Sequence, residues 1–199
     1  MMRKKHIAGI LLTVFVLLAV TSCGSGGETK SGGSEETQAA WTLPDQKGDN
    51  DGLTVIKTLD LSGKEVDQSI FTPYKYNLVV VWGTYCNPCI KAMPDDEKLY
   101  QEYKEKGLGM VSVALDLTDA SGNVDMDKVS YAKELVDKQK VTYPVLLPSV
   151  SIMASVGKNV SVTPSYFFVD SKGNMTGTIY KGGRSHEDWQ RIIKKETGI

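Results

Sequence analysis

Asn77-Leu-Val-Val-Val-Trp82-Gly-Thr-Tyr-Cys86-Asn-Pro-Cys89-Ile-Lys-Ala-Met-Pro94 carries more structural information than any other part of this 199-residue chain. Its first six residues form a short, continuous apolar run rich in β-branched side chains, the pattern of a strand buried on both faces. A helix is predicted to follow from about Cys86 to Lys106, ended by Gly107 and bent at Pro94, because proline removes a backbone donor and clashes with the preceding turn. Cys86 and Cys89 therefore fall where a buried strand ends and a helix begins. Free backbone N–H groups and the positive end of the helix dipole stabilise a thiolate there, so the first cysteine is expected to ionise more readily than a free thiol. Pro88 suits the first helical turn, where its missing N–H has no partner to lose. The two-residue gap lets the sulfurs meet, so Cys89 can attack a mixed disulfide formed at Cys86.

On the N-terminal side of this stretch, Leu53–Leu59 alternates loosely and Ser62-Gly63-Lys64 supplies a turn, which predicts an early hairpin. On the C-terminal side, Met110–Leu115 is a second buried strand. Lys128–Lys140 places Val129, Ala132, Leu135 and Val136 on one helical face, and Ser149–Val156 is a short helix. Tyr166–Val169 is a third apolar strand, turned by Ser171–Asn174 into a strand at Met175–Tyr180. A last helix opens at Ser185-His-Glu-Asp188 and buries Trp189, Ile192 and Ile193. Strands alternating with helices, with hairpins at both ends, predict an α/β fold with a mixed central sheet flanked by helices.

The composition, 41% hydrophobic and 24% charged with a formal charge of −1, excludes disorder throughout and gives no basic footprint for nucleic acid. The first 22 residues differ from the rest. Arg3-Lys4-Lys5 precede an apolar stretch, Ile7–Val20, of about 21 Å as a helix, too short for a hydrocarbon core of roughly 30 Å. This is the pattern of an export signal. Val20-Thr21-Ser22-Cys23 resembles a bacterial lipobox, which implies cleavage before Cys23 and lipid attachment to its sulfur, anchoring the chain to a membrane outside the cytoplasm. Residues 1–22 are thus expected to be a lipoprotein signal peptide and 23–49 a Gly/Ser-rich flexible linker. Residues 50–199 are expected to form one folded domain.

Val81-Trp82-Gly83-Thr84-Tyr85-Cys86-Asn87-Pro88-Cys89, followed by Lys91 and Met93-Pro94, resembles the active-site segment of thioredoxin-like proteins, and more narrowly of the membrane-tethered TlpA/ResA group. Thr58–Val66 resembles that group's opening hairpin, and Val162-Thr163-Pro164-Ser165-Tyr-Phe-Phe-Val-Asp170 its second signature. The resemblance covers roughly residues 50–195 and implies a thioredoxin-like fold. The 74 residues between Cys89 and Pro164 leave room for the group's inserted strand–helix element. It implies that Cys86 is the exposed nucleophile and Cys89 the resolving thiol, with Asn87 and Pro88 forming the active-site loop. Pro164 would be a cis-proline facing the pair, and Thr163 would offer its backbone to a substrate strand. Trp82 and Tyr85 would flank the cysteines, although core packing explains Trp82 equally well.

Two acids found in relatives are missing. The buried aspartate that classical thioredoxins carry six residues before the first cysteine is Val80 here, and the glutamate that the cytochrome-maturation branch carries three residues after the second is Ala92. Asp95, Asp96 and Glu97 follow Pro94 and are expected to form a solvated acidic face. The implied activity is thiol–disulfide exchange, in the direction of reducing the disulfides of exported protein clients, with no metal and no cofactor beyond the cysteine pair. A membrane electron carrier of the CcdA/DsbD type would recharge it, and a monomer is expected. A zinc site would need more ligands than one CxxC pair and His186 supply. A peroxiredoxin would need proline at 79 and Ser or Thr at 83, where Val79 and Gly83 stand, and copper delivery would need a CxxxC pair. A disulfide-forming oxidase, or a non-catalytic lipoprotein with a static Cys86–Cys89 bridge, remain the alternatives.

Overall fold

In a computed structural model that describes residues 40–44 and 52–199, the apolar runs become strands and the amphipathic segments helices, as expected. The expected signal peptide, Cys23 and most of the expected linker lie outside the described residues. A small antiparallel hairpin comes first, β1 (Lys57–Leu59) with β2 (Glu65–Asp67). Then follow β3 (Tyr76–Trp82), α1 (Asn87–Tyr103), β4 (Leu108–Ala114), α2 (Met126–Lys138), β5 (Val145–Leu146) and α3 (Val150–Asn159). β6 (Ser165–Asp170), β7 (Met175–Lys181) and α4 (His186–Thr197) complete the chain. The central sheet has the order β5-β4-β3-β6-β7. β3, β4 and β5 run parallel, and β6 and β7 are antiparallel additions.

β3 explains the arrangement. Its continuous apolar run still obeys the two-residue period of a strand. Leu78 and Val80 join Leu99 and Tyr103 of α1 and Trp189 and Ile193 of α4 in one core cluster. Val79 and Val81 join Ile152 and Val156 of α3 in another. A residue type that buries on either face is needed at each position, so no polar alternation marks the strand. Trp82, at its C-terminal end, enters a third cluster with Cys86, Cys89 and Met93, and with Val129, Ala132 and Leu135 of α2. Both cysteines thus sit on a packed floor where β3 and β4 end.

Two expectations need amendment. Residues 40–44 fall within the expected linker, yet Trp41 and Leu43 pack against the cluster that holds the cysteines. The Trp41 ring lies over Gly63, where a Cβ would come within 2.8 Å of it, and Gly63 also takes a positive φ of 85°. Only glycine meets both demands in this hairpin turn. Strand β5 was not located from the pattern of side chains, although the resemblance leaves room for an inserted strand–helix element between Cys89 and Pro164, where it lies. It is two residues long behind Pro144, too short to show any period, and is held by its parallel pairing with Ser112 and Val113 of β4. The hairpin fastens to this edge through an Asp60–Leu146 bridge and a Leu147 N–H bond to the Leu59 carbonyl of 2.9 Å.

Candidate active site

Cys86 and Cys89 form a disulfide with their Cα atoms 5.2 Å apart. Cys86 is the N-cap of α1: its carbonyl accepts from the N–H groups of Cys89 (2.9 Å) and Ile90 (3.1 Å), and its Sγ accepts from Cys89 N–H at 3.3 Å. Asn87 and Pro88 occupy the exposed first turn. The expected contrast between an exposed Cys86 and a buried Cys89 is not one of accessibility here, since the two residues are 5% and 3% exposed. It is one of surroundings. Cys86 caps the helix start, where its Sγ accepts from the Cys89 N–H at the positive end of the helix dipole, whereas Cys89 faces inward.

Tyr85 is exposed as well, at 67%. Its ring folds back over Gly83, where a Cβ would lie 2.5 Å from a ring carbon, so the missing side chain makes room for it. The preceding residue is fixed more firmly. Thr84 donates its N–H to Asp116 Oδ1 (2.9 Å) and its hydroxyl to Asp116 Oδ2 (2.6 Å), which ties the loop before the cysteines to the end of β4. Asp116 was missed in the sequence because its partner lies 32 positions away.

The Thr163–Pro164 peptide is cis, as the resemblance implied. Pro164 is buried and its carbonyl accepts from Gly182 N–H (2.8 Å), while Ser165 Oγ donates to the Val162 carbonyl (2.7 Å). Neither backbone polar group of Thr163 has a partner among the described residues. An extended client chain can therefore pair with Thr163 as a short added strand.

Pro164 and Cys89 line one narrow crevice together with Val80, Trp82, Met93, Asp96, Tyr143 and Tyr166. In this disulfide state it holds about 190 Å³ of empty space, none of it wide enough for a water molecule. The expected solvated acidic face is wrong for Asp96, which is 2% exposed, and right only for Asp95. On a helix, positions 89, 93 and 96 share one face, and that face points at the sheet. Tyr166 donates its hydroxyl to Asp96 Oδ2 at 3.2 Å. Burial raises the Asp96 carboxyl to about 7, against the opposing effect of the Tyr166 hydrogen bond. Glu97, half-buried, is used structurally: its carboxylate accepts from Thr142 N–H (2.7 Å) and the Thr142 hydroxyl (2.7 Å). Trp82 is both fully packed and beside the cysteines, in their cluster and in this crevice, and its buried indole Nε1 has no hydrogen-bond partner among the described residues.

A buried strand running into a helix capped by a redox-capable CxxC pair, with a cis-proline loop beside it, defines a thiol–disulfide oxidoreductase of thioredoxin type. Comparison with known proteins agrees. A family model described as Redoxin matches residues 39–190, so this chain belongs to the redoxin family. It is 31% identical over 139 residues to the thiol-disulfide oxidoreductase ResA of Bacillus thuringiensis subsp. konkukian, covering 69% of this chain and 72% of that one. It is 29% identical over 174 residues to the thioredoxin-like protein YneN of Bacillus subtilis, covering 86% and 87%. Solved structures share the fold. A thioredoxin-family thiol:disulfide interchange protein of Chlorobium tepidum superposes with a TM-score of 0.59 at 21% identity, over 77% of this chain and 99% of that one. An exposed lipoprotein thioredoxin of Streptococcus pneumoniae gives 0.55 at 18%, over 71% and 98%. The TlpA/ResA-like reading and the thioredoxin-like fold therefore stand.

Proposed function

We propose that this oxidoreductase is a lipid-anchored, extracytoplasmic reductant of disulfides in exported proteins, acting as a monomer with no cofactor beyond Cys86 and Cys89. The observation that carries the direction is the set of contacts at the nucleophile. A strong oxidant requires a heavily stabilised reduced form, and in the disulfide state the Cys89 N–H is the sole hydrogen-bond donor in place at Cys86 Sγ among the described residues, which supports the reducing direction. Clients would dock as a strand on Thr163, beside the exposed side chains of Val162 and Tyr85. Apocytochrome thiols, a surface methionine sulfoxide reductase and misoxidised exported chains are suitable classes of client. The lipobox at Cys23 supports the anchor, and the pneumococcal neighbour is itself described as an exposed lipoprotein. Recharging falls to a membrane electron carrier of the CcdA/DsbD type, because small-molecule thiol pools are not expected outside the cell.

The equilibrium potential of the Cys86–Cys89 couple tests this reading. A value near or below about −230 mV places it with reductants of the thioredoxin and glutaredoxin range. A value above roughly −150 mV would make it a disulfide donor instead. In the same experiment Cys89→Ser accumulates mixed disulfides with client proteins; their absence would leave the bridge static and the protein non-catalytic.

A further inference from the structure

Asp96 has no structural task large enough to account for its burial. It lies at the centre of the inward face of α1, between Met93 and Leu99, where an apolar residue would pack without desolvating a charge. No cation is bonded to it among the described residues, and its recorded hydrogen bond is the one from Tyr166. What it shares is the crevice of Cys89 and Pro164. Val80, the strand position where classical thioredoxins carry their acid, lines that same crevice. Ala92, the helix position where another branch carries one, lies one turn before Asp96. The crevice thus lacks an acid at both customary positions and receives one from a third.

We propose that Asp96 is the proton acceptor for the Cys89 thiol as it resolves the mixed disulfide, and the donor that returns the proton when the pair is recharged. The inference rests on the thiol–disulfide chemistry of the pair. In the first half-reaction the Cys86 thiolate attacks a client sulfur, and one client thiolate leaves and takes a proton from solvent. In the second, the Cys89 proton passes to the Asp96 carboxylate, about two helical turns away, through a water admitted to the crevice once the disulfide is open, while the Cys89 sulfur attacks Cys86 Sγ. The Cys86–Cys89 bond forms, the Cys86–client bond breaks, and the second client thiolate leaves with the electron pair. That thiolate is then protonated, with Asp96 returning to the carboxylate by releasing its proton. Two electrons have moved from the dithiol to the client. Recharging by a partner dithiol runs the steps in reverse.

A group of this kind works best when it titrates near the working pH, and burial places the Asp96 carboxyl at about 7. The groups that bear on it are few. Tyr166 of β6 donates the hydrogen bond, Asp95 on α1 adds like charge, and Cys89 and Tyr143 share the crevice wall. Tyr143 and Tyr166 are themselves held neutral by burial and by Asp96, and Arg184 acts on Tyr166 in the opposite sense.

Thionitrobenzoate release from 5,5′-dithiobis(2-nitrobenzoate) separates the two half-reactions. Reduced full-length chain carrying Cys23→Ser, so that only the pair reports, releases one equivalent when Cys86 attacks and a second when Cys89 resolves. In Asp96→Asn the first phase should keep its rate, while the second slows by roughly 100-fold or more at pH 7. The wild-type second phase should rise with pH through the Asp96 titration, and this rise is lost in the variant. Tyr166→Phe removes the bond that favours the carboxylate, so it should move the midpoint upward, a change that mere loosening of packing would not produce. A second phase in Asp96→Asn within twofold of wild type, with the same pH profile, overturns the proposal. If that variant does not fold, an unmoved midpoint in Tyr166→Phe overturns it. A wild-type chain that never releases the second equivalent would instead refute the dithiol chemistry itself.

Discussion

Replacing Asp96 with asparagine should change the pH dependence of folding in a way that can be calculated. In the unfolded chain its carboxyl titrates at 3.8, and in the folded chain at about 7. Between those values the folded protein holds a proton that the unfolded chain has released, so stability falls as pH rises through that window. At about 1.4 kcal/mol per pH unit, ionising Asp96 costs the folded state roughly 4 kcal/mol, and about 3 kcal/mol of this develops between pH 4.5 and 8.5. Asparagine has no proton to lose. Asp67, Asp119, Asp170, Asp188 and Glu102 are held below the ordinary carboxylate range, so they stabilise the fold above their unfolded values and lose that contribution in acid. They do so in both proteins and cancel in the difference. Urea unfolding of the oxidised full-length chain at the two pH values measures it. With a slope near 2 kcal/mol/M, the gap between wild type and Asp96→Asn should move by about 1.5 M in favour of the variant at pH 8.5. A gap constant to within about 0.5 M would mean that Asp96 ionises like an exposed carboxylate and that its burial carries no electrostatic cost.

Two further outcomes follow from contacts around the site. Asp116→Ala leaves the Thr84 N–H and hydroxyl unpaired in a largely buried loop, so it should cost about 1–3 kcal/mol in denaturant unfolding, and a loss below 0.5 kcal/mol would show the tie to be dispensable. Trp41→Ala strips a half-buried ring from the cysteine cluster and from its stack with Lys133 (5.0 Å). It should cost about 1–2 kcal/mol, a drop of some 2–8 °C in the calorimetric midpoint, whereas an unchanged midpoint would return residues 40–44 to the linker.

What was legible in the sequence follows from the range of each interaction. β3, β4 and β6 announced themselves because strands buried on both faces need an apolar residue at every position. α2 did so through the helical spacing of Val129, Ala132 and Leu135, and α4 through its cap at Ser185 and the buried Trp189 and Ile193. The cysteines and Pro164 could be located because their motifs are local, although only the fold brings Cys89 and Pro164 to one crevice. β5 and the Thr84–Asp116 tie were hidden, since each depends on residues about 30 or more positions distant. Trp41 was hidden for a different reason: one aromatic residue amid Gly, Ser and Thr carries no period of its own.

Asp96 is the instructive failure, because its burial was in fact encoded locally. The residues that α1 buries are Cys89, Met93, Asp96, Leu99 and Tyr103. Their spacings of four, three, three and four form an unbroken inward stripe of a 3.6-residue helix. Asp95 and Glu97 beside it give the triplet the composition of a charged surface, which hides the helical position of Asp96. The periodicity carried the better information. An aspartate in the middle of such a stripe must either find a cation, remain protonated, or be retained against its desolvation cost for a purpose. No cation bonds to Asp96 among the described residues, and its carboxyl is held near neutrality beside a cysteine that must lose and regain a proton in every cycle. An acid displaced one helical turn from Ala92 reaches the same crevice as one on Val80 would, because both walls converge on Cys89. The chemistry therefore constrains the place where a carboxyl is needed more tightly than the sequence position that provides it.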